Sequence, residues 1–315
     1  MRKVEMAILM AISTLLCAAP AVAQNAGNDG QAQAVVTVLS KKKGGEMPVN
    51  ITQQDIHAKV NNKQATVTGW VPLRGTNGRL ELVVLIDGSA RTSLGQQLGD
   101  IADFFKSLPP DVKVALGYME YGRTVLTGPL STDHGAAVQG LHLPSGMAGS
   151  SGSPYFCISD LAKRWPSNDR GARREVVLIT DGVDNYEQHF DPDDPYVETA
   201  TNDSIRAGLV LYAIYWKDRG FMDQTGYGSD TGQNLLAIVT GATGGASYWN
   251  GLGDPVSFQP YFEDLSLRLQ NQYLLSVSSP LNGKDEIANM SLKVGGPAAK
   301  VYAPKQVYLT HPGGQ

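Results

Sequence analysis

The chain has 315 residues, a formal net charge of −4 at pH 7 and two cysteines. The slightly acidic balance, with no basic stripe in the sequence, argues against a nucleic-acid-binding protein. One cysteine falls in a predicted leader, so the mature chain would keep a single thiol, Cys157, and no internal disulfide. Its stability must then come from a hydrophobic core.

Residues 1–23 have the pattern of a signal peptide. Two basic residues precede an apolar run that is too short to cross a bilayer, and Ala21-Val22-Ala23 is a small-x-small cleavage site. We predict cleavage after Ala23 and export from a bacterial cell, either to the periplasm or beyond it. Cys17 raises lipidation as an alternative, which the bulky Leu16 before it disfavours. No later segment is long and apolar enough to predict an integral membrane segment in the mature chain.

The next part of the chain is rich in β-strand signals. Residues 24–33 are polar and predict a flexible leader, and residues 34–79 form an N-terminal β segment. Within this segment, the paired Asn61-Asn62 between two β-rich runs predicts a hairpin, because asparagine tolerates positive φ in a tight turn. A lone hairpin is marginal in water, so these strands require a partner surface elsewhere in the chain.

Residues 80–272 alternate between strand and helix signals. The run Leu82 to Ile86 has no polar alternation, which is typical of a strand buried on both faces in a parallel sheet. Similar runs alternate with amphipathic helical segments and predict an α/β domain. Its sheet would be doubly wound, mostly parallel and six-stranded, with helices on both faces. Strands are predicted at 81–87, 113–119, 123–127, 175–180, 209–216 and 246–249, and helices at 93–108, 155–165, 198–207, 234–240 and 260–272.

The tail, residues 273–315, reverts to strand signals at 273–278, 288–294 and 301–309. Both flanks of the α/β domain are too small to fold alone. We therefore predict that residues 273–315 pair with residues 34–79 in one small β-sandwich, with the α/β domain inserted between them.

Two apolar strands end in the same dipeptide, Asp87-Gly88 and Asp181-Gly182, and a Gly/Ser-rich stretch at 146–153 lies between them. Open α/β sheets bind their ligands at the carboxyl ends of such strands. Over residues 80–272 this arrangement resembles the von Willebrand factor A family. In detail it is most similar to the bacterial secreted subgroup in which the domain has β-rich flanks.

The resemblance implies a metal-ion-dependent adhesion site with an Asp-x-Ser-x-Ser first loop, a threonine in a second loop and an aspartate in a third. Asp87 and Ser89 match the first loop, Ser153 offers a hydroxyl for the second, and Asp181 matches the third. The fifth position is Arg91, where the family has a serine. Four of the five positions therefore carry a suitable oxygen.

Two outcomes are open for this site. Hard oxygen ligands suit Mg²⁺ or Mn²⁺, and Arg91 could point to solvent and leave a weakened metal site whose open position a partner carboxylate fills. Alternatively, the Arg91 guanidinium could pair with Asp87 or Asp181 and replace the metal. We favour the second outcome, a site that has lost its metal.

Further residues near this edge predict a partner-binding rim at Asp184, Tyr155 and Tyr186. The acidic stretch 184–194 lacks the spacing and glycine of a calcium loop and is predicted to be solvated. The serine-rich stretch lacks the Gly-x-Ser-x-Gly order of a nucleophile turn, and no histidine pair has metal-ligand spacing.

The sequence thus predicts an exported, non-enzymatic adhesion-type module that binds a protein or cell-surface ligand. The alternative is a metal-free structural or assembly scaffold whose adhesion site has decayed.

Overall fold

The computed structural model describes residues 29–41, 51–90, 92–145, 152–184, 186, 191–217, 227–251, 253–281, 283–295 and 299–312. The predicted signal peptide at 1–23 and Arg91 lie outside the described residues. Two sheets organise the chain: one of seven antiparallel strands built from both flanks, and one of six strands built from the middle. Among the described residues, no helix combines the length and apolar character needed to span a bilayer.

The middle of the chain forms the predicted α/β domain. Its strands are β4 (Leu80–Asp87), β5 (Lys113–Glu120), β6 (Arg123–Leu126), β7 (Arg173–Thr180), β8 (Leu209–Tyr215) and β9 (Ser247–Tyr248). They follow three flanking strands: β1 (Asp29–Ser40), β2 (Ile56–Val60) and β3 (Lys63–Pro72). The sheet order is β6-β5-β4-β7-β8-β9, and all its pairs are parallel except β5 with β6. The prediction of a mostly parallel, doubly wound, six-stranded sheet is confirmed.

Helices cover both faces of this sheet, as predicted. They are α1 (Leu98–Ser107), α2 (His134–Gln139), α3 (Pro154–Lys163), α4 (Pro195–Ala207), α5 (Tyr227–Thr243) and α6 (Gln259–Gln270). One face packs its core against α1, α2 and α6, and the other packs against α3, α4 and α5. Every residue of β4 is buried, because this central strand has helices on both sides.

The two flanks join into one antiparallel sheet, which completes the predicted architecture. The tail supplies β10 (Gln272–Pro280), β11 (Glu286–Val294), β12 (Ala299–Tyr302) and β13 (Gln306–Leu309). The order is β12-β1-β10-β3-β2-β11-β13, so N-terminal and C-terminal strands alternate through the sheet. The sheet curls until Gln31 of β1 forms a bridge with Thr310, just after β13, and encloses its own apolar core. Asn61 and Asn62 both have positive φ in the β2–β3 hairpin, as predicted for this turn.

Two details of the flanks differ from the prediction. β1 begins at Asp29, so residues 29–33 of the predicted flexible leader belong to a strand, in which Gly30 and Ala32 point into the core and pair beside β10. The predicted strand at 301–309 is two strands, β12 and β13, which pair with β1 and β11 respectively. Pro304 lies between them and lacks the N–H that a continuous ladder needs.

The side chain of Arg173 lies at the junction of the two sheets. The chain enters the α/β domain through residues 73–79 and leaves it after α6. Arg173 donates to the carbonyl oxygens of Leu73 (3.2 Å) and Gly78 (3.1 Å) on the way in, and of Leu269 (3.0 Å) on the way out. Its Nε lies 3.3 Å from the buried carboxylate of Glu175. One buried guanidinium therefore bonds the backbone both where the chain enters the α/β domain and where it leaves.

Other polar contacts reinforce this junction. The Gln272 amide at the start of β10 donates to the Tyr212 hydroxyl of β8 over 3.2 Å. The Arg268 guanidinium of α6 stacks over the Tyr302 ring of β12 at 4.2 Å, while its Nε donates to Asp264. Because these groups are largely buried, they fix the orientation of the sheets relative to each other.

The junction predicts a specific pH dependence of stability. Burial raises the pKa of Glu175 above its ordinary value of 4.5, although Arg173 opposes the shift. At a pH between the ordinary pKa and the raised pKa of Glu175, the native state binds more protons than the unfolded state. The free energy of unfolding therefore falls as the pH rises through this range. The free energy of unfolding of the wild type relative to Glu175→Gln should therefore increase as the pH is lowered from about 8 to about 5.

Urea unfolding across that pH range tests this expectation. Glu263→Gln, which removes an exposed carboxylate on α6, is the matched control measured in parallel. A constant difference between wild type and Glu175→Gln would contradict a raised pKa at this position.

Candidate functional site

The parallel pairing of β4 with β7 brings the two Asp-Gly ends together at the C-terminal edge of the six-stranded sheet. Ile86 is opposite Ile179, so Asp87 and Thr180 end neighbouring strands, and Asp181 follows at once. The N-terminus of α3, which begins after Ser153, faces the same edge. The side chains of Asp87, Ser89, Ser153, Thr180 and Asp181 are all buried there.

Asp87 is the hydrogen-bond centre of this site. Its Oδ1 accepts from the Ser89 hydroxyl (2.6 Å) and backbone N–H (3.0 Å), and its Oδ2 accepts from the Thr180 hydroxyl (2.6 Å). Three donors around one buried carboxylate offset much of the cost of removing it from water. Sequence reasoning missed Thr180, although a hydroxyl directly before the Asp181-Gly182 dipeptide was a usable signal.

Gly88 allows the first loop to lie against the neighbouring strand. Its N–H donates to the carbonyl oxygen of Met119 in β5 over 3.0 Å. A Cβ at this position would lie 2.3 Å from that oxygen, which no side chain can accommodate without backbone movement. The glycine therefore fixes how close Asp87 and Ser89 come to β5.

The third loop has a similar turn. Gly182 has φ +69°, in the left-handed region, and its N–H donates to the Thr180 hydroxyl over 3.2 Å. The Asp181 carboxylate accepts from the backbone N–H of Val183 over 2.9 Å. These bonds hold Asp181 at the sheet edge beside Asp87.

Ser153 connects the second loop to the site as a helix cap. Its hydroxyl oxygen accepts from the Tyr155 N–H (3.2 Å) at the start of α3, where such acceptors satisfy unpaired backbone donors. The Tyr155 hydroxyl in turn donates to the Gly182 carbonyl oxygen over 2.7 Å and ties the second loop to the third. Burial, and then the charges of Asp181, Asp184 and Asp194, raise the pKa of Tyr155, so its phenol keeps the proton that this bond requires.

The predicted partner-binding rim needs a correction at two of its three residues. Tyr155 and Asp184 are both completely buried, so neither lies at a surface that a partner could contact. Tyr155 packs in the core beneath the loops, and Asp184 accepts from the Tyr186 N–H over 2.8 Å. Tyr186 is 65% exposed, and its role in a partner-binding rim stays a prediction.

The donor set has the chemistry of a hard-cation site. Asp87 and Asp181 provide carboxylate oxygens, and Ser89 and Ser153 provide hydroxyl oxygens that keep lone pairs beyond their hydrogen bonds within the protein. Mg²⁺ and Mn²⁺ prefer such oxygens. Within the described ranges, no group of three or more His, Cys, Asp or Glu side chains is arranged to hold a metal, so any cation here would depend on the hydroxyls.

Numbered along the domain, the strand order is 3-2-1-4-5-6, the order of doubly wound folds whose ligands bind where the order reverses. Strands 1 and 4, β4 and β7, flank that reversal and carry Asp87 and Asp181. This order, the antiparallel β6 and the three loops define a von Willebrand factor A-like fold.

No family model matches the chain, and no curated protein sequence does. Solved structures with a similar fold include an aerotolerance-related membrane protein from Bacteroides fragilis, at 12% identity, with 60% of this chain and 98% of that chain covered and a TM-score of 0.43. Proximal thread matrix protein 1 from the mussel byssus, whose MIDAS motif is occupied by zinc, is 15% identical to this chain. The match covers 67% of this chain and 49% of that chain, with a TM-score of 0.42. The SpRpn10 VWA domain is 11% identical to this chain, and the match covers 61% of this chain and 97% of that chain, with a TM-score of 0.42. None of these scores reaches 0.5, so the fold assignment depends on the strand order.

The hydrogen bond from Thr180 to Asp87 should contribute measurably to stability. Thr180→Val keeps the shape of the side chain but leaves a buried Asp87 oxygen without its donor and the Gly182 N–H without its acceptor, which together should cost about 1.5–3 kcal/mol. Urea unfolding measures this loss. Thr199→Val, which removes an exposed hydroxyl bonded to Pro195 O, should change stability by less than about 0.5 kcal/mol. Equal effects of the two substitutions would show that the Asp87 contact is not stabilising.

Proposed function

We propose that this protein is an exported, non-enzymatic binding module that recognises a protein or cell-surface ligand at the C-terminal edge of its six-stranded sheet. The observation that carries the proposal is the meeting of Asp87, Ser89, Ser153 and Asp181 at that edge, from three separate loops. A buried polar cluster of this kind is costly to assemble, and it lies where doubly wound sheets bind ligands. Tyr186 provides exposed aromatic surface beside it.

The chemistry of the same groups supports binding rather than catalysis. The hydroxyls of Ser89 and Thr180 both donate to the Asp87 carboxylate, and neither bonds a histidine among the described residues. Burial raises the pKa of the Cys157 thiol, which disfavours the reactive thiolate. The described part of the site thus provides no activated nucleophile.

The proposed site can be completed in two ways, with a divalent cation or without one. Mg²⁺ or Mn²⁺ would be held by the carboxylates of Asp87 and Asp181 and the hydroxyls of Ser89 and Ser153. When bound, such an ion offers an open position to a carboxylate of the partner. The competing function is that of a metal-free scaffold, which the three hydrogen bonds to Asp87 favour because they satisfy this carboxylate within the protein.

Thermal unfolding distinguishes these two functions. A ligand that binds only the native state raises the melting midpoint, and at about 100 times its Kd it stabilises by about 2.7 kcal/mol. We expect Mg²⁺ or Mn²⁺ to raise the midpoint over that in EDTA if the adhesion-type site is functional, and Asp87→Asn to abolish the increase. No shift at saturating metal would reject the metal-dependent function. A shift that appears only in Arg91→Ser would show that this arginine is what prevents metal binding.

Site-specific photo-crosslinking tests where the partner binds. Benzoylphenylalanine at Tyr186 should crosslink a partner in the envelope fraction of the producing cells, because this residue lies exposed at the proposed binding edge. The same probe at Leu267, an exposed residue of α6, is the control. Equal crosslinking at the two positions would contradict binding at the sheet edge.

A further inference from the structure

Exposed aromatic side chains collect beside the buried site. Tyr121 is 84% exposed, Tyr186 65% and Tyr196 39%, and together with the partly buried Phe156 they form a surface that we name the tyrosine patch. The Phe156 ring lies 5.1 Å from the Tyr186 ring and 4.8 Å from the Tyr196 ring, centroid to centroid. The rings of Phe156, Tyr186 and Tyr196 therefore pack against one another, while much of the surface of the two tyrosines stays open to solvent.

The turn that carries Tyr121 is part of the same surface. A Cβ built at Gly122 would lie 3.4 Å from Phe156, and one built at Gly152 would lie 3.4 Å from the Gly122 nitrogen and 3.7 Å from the Tyr186 ring. The β5–β6 turn, the start of α3 and the third loop are therefore in contact. The patch is continuous across three separate segments.

Tyr121 has an unfavourable backbone conformation, and its exposed side chain gains little packing energy to compensate for it in the isolated protein. Its φ of +49° lies in the left-handed region, where a bulky residue is strained and glycine or asparagine is preferred. Strain of this kind is usually compensated by packing, yet this ring is almost wholly exposed. A role at the surface accounts for a tyrosine at this position better than a role in folding.

The charges around the patch are mostly negative. Exposed carboxylates lie close in sequence to its tyrosines: Glu120 beside Tyr121, and Asp191, Asp193 and Glu198 on either side of Tyr196. Arg123, two residues after Tyr121, is the exposed basic residue nearest to that tyrosine in sequence.

We propose that the tyrosine patch binds an arginine- or lysine-bearing segment of the protein partner, an inference that rests on the proposed function. A guanidinium or ammonium group is attracted to the face of a tyrosine ring, and the flanking carboxylates attract the same charge. An acidic segment would meet repulsion from these carboxylates. The patch therefore selects the cationic part of a partner.

Peptide binding to the full mature chain tests this proposal. The probe is a fluorescein-labelled Gly/Ser peptide with three arginines, compared by fluorescence anisotropy with peptides in which citrulline or glutamate replaces arginine. Citrulline keeps the shape of arginine and removes its charge. We expect binding of the arginine peptide, weaker binding of the citrulline peptide and none of the glutamate peptide. Added salt should weaken the first interaction, because these charges are exposed.

Variants locate the binding surface. Tyr121→Asn keeps a residue that tolerates the left-handed backbone but removes the ring, so affinity should fall about two- to fivefold while the melting midpoint stays equal or rises. Tyr121→Phe keeps the ring and should bind as the parent does. Combining Tyr121→Asn with Tyr186→Ser should weaken binding by about tenfold. Val71→Ser, on the distant β3, should leave affinity unchanged.

Several outcomes would overturn the proposal. No binding of the arginine peptide up to about 1 mM, equal binding of the citrulline peptide, or unchanged affinity in the tyrosine variants would each reject a cationic partner at this patch. Binding of a neutral oligosaccharide in place of the arginine peptide would instead make the patch a glycan site. If these tests fail while crosslinking at position 186 succeeds, only the partner's chemistry is wrong. Failure of that crosslink removes the proposed function itself.

Discussion

The buried guanidinium of Arg173 is the constraint on which the two-sheet architecture depends. It bonds the backbone where the chain enters the α/β domain, at Leu73 and Gly78, and where it leaves, at Leu269. An arginine can do this because its planar fork presents several donors in fixed directions. The carboxylate of Glu175 lies 3.3 Å from the Arg173 Nε and balances its charge whenever Glu175 is ionised. These bonds tie the entry and the exit of the α/β domain to one strand, β7.

Buried polar groups joined by hydrogen bonds also build the candidate site at the far edge of the six-stranded sheet. Asp87 is held by Ser89 and Thr180, and Tyr155 links α3 to the loop after β7. The bonds from Thr180 and Tyr155 join segments that are distant in sequence, and the bond from Ser89 fixes the first loop locally. The loops are therefore held in place, which would lower the entropic cost of the proposed binding.

The proposed function and the proposed tyrosine patch combine a rigid polar base with an exposed aromatic surface. In that proposal, the buried oxygens around Asp87 set the local charge, and Tyr121 and Tyr186 provide the contact area. Tyrosine is well suited to this because it presents a large ring at low conformational cost. The strain at Tyr121 and the buried carboxylates both reduce the stability of the free protein, a pattern expected where a surface is selected for binding.

The sequence alone determined much of this protein. Apolar runs without alternation specify the central strands, the Asp87-Gly88 and Asp181-Gly182 ends place two carboxylates at one edge, and Asn61-Asn62 specifies a hairpin. These are local signals, because burial pattern and turn chemistry depend on neighbouring residues. They sufficed for the fold class and for most of the residues around the site.

Only the tertiary structure decided the remainder. It extended β1 to Asp29, separated β12 from β13, buried Tyr155 and Asp184, and brought the Thr180 hydroxyl to Asp87. Each of these outcomes depends on which strand lies alongside which, and in what register. Such pairings join residues far apart in the chain, so no local pattern specifies them.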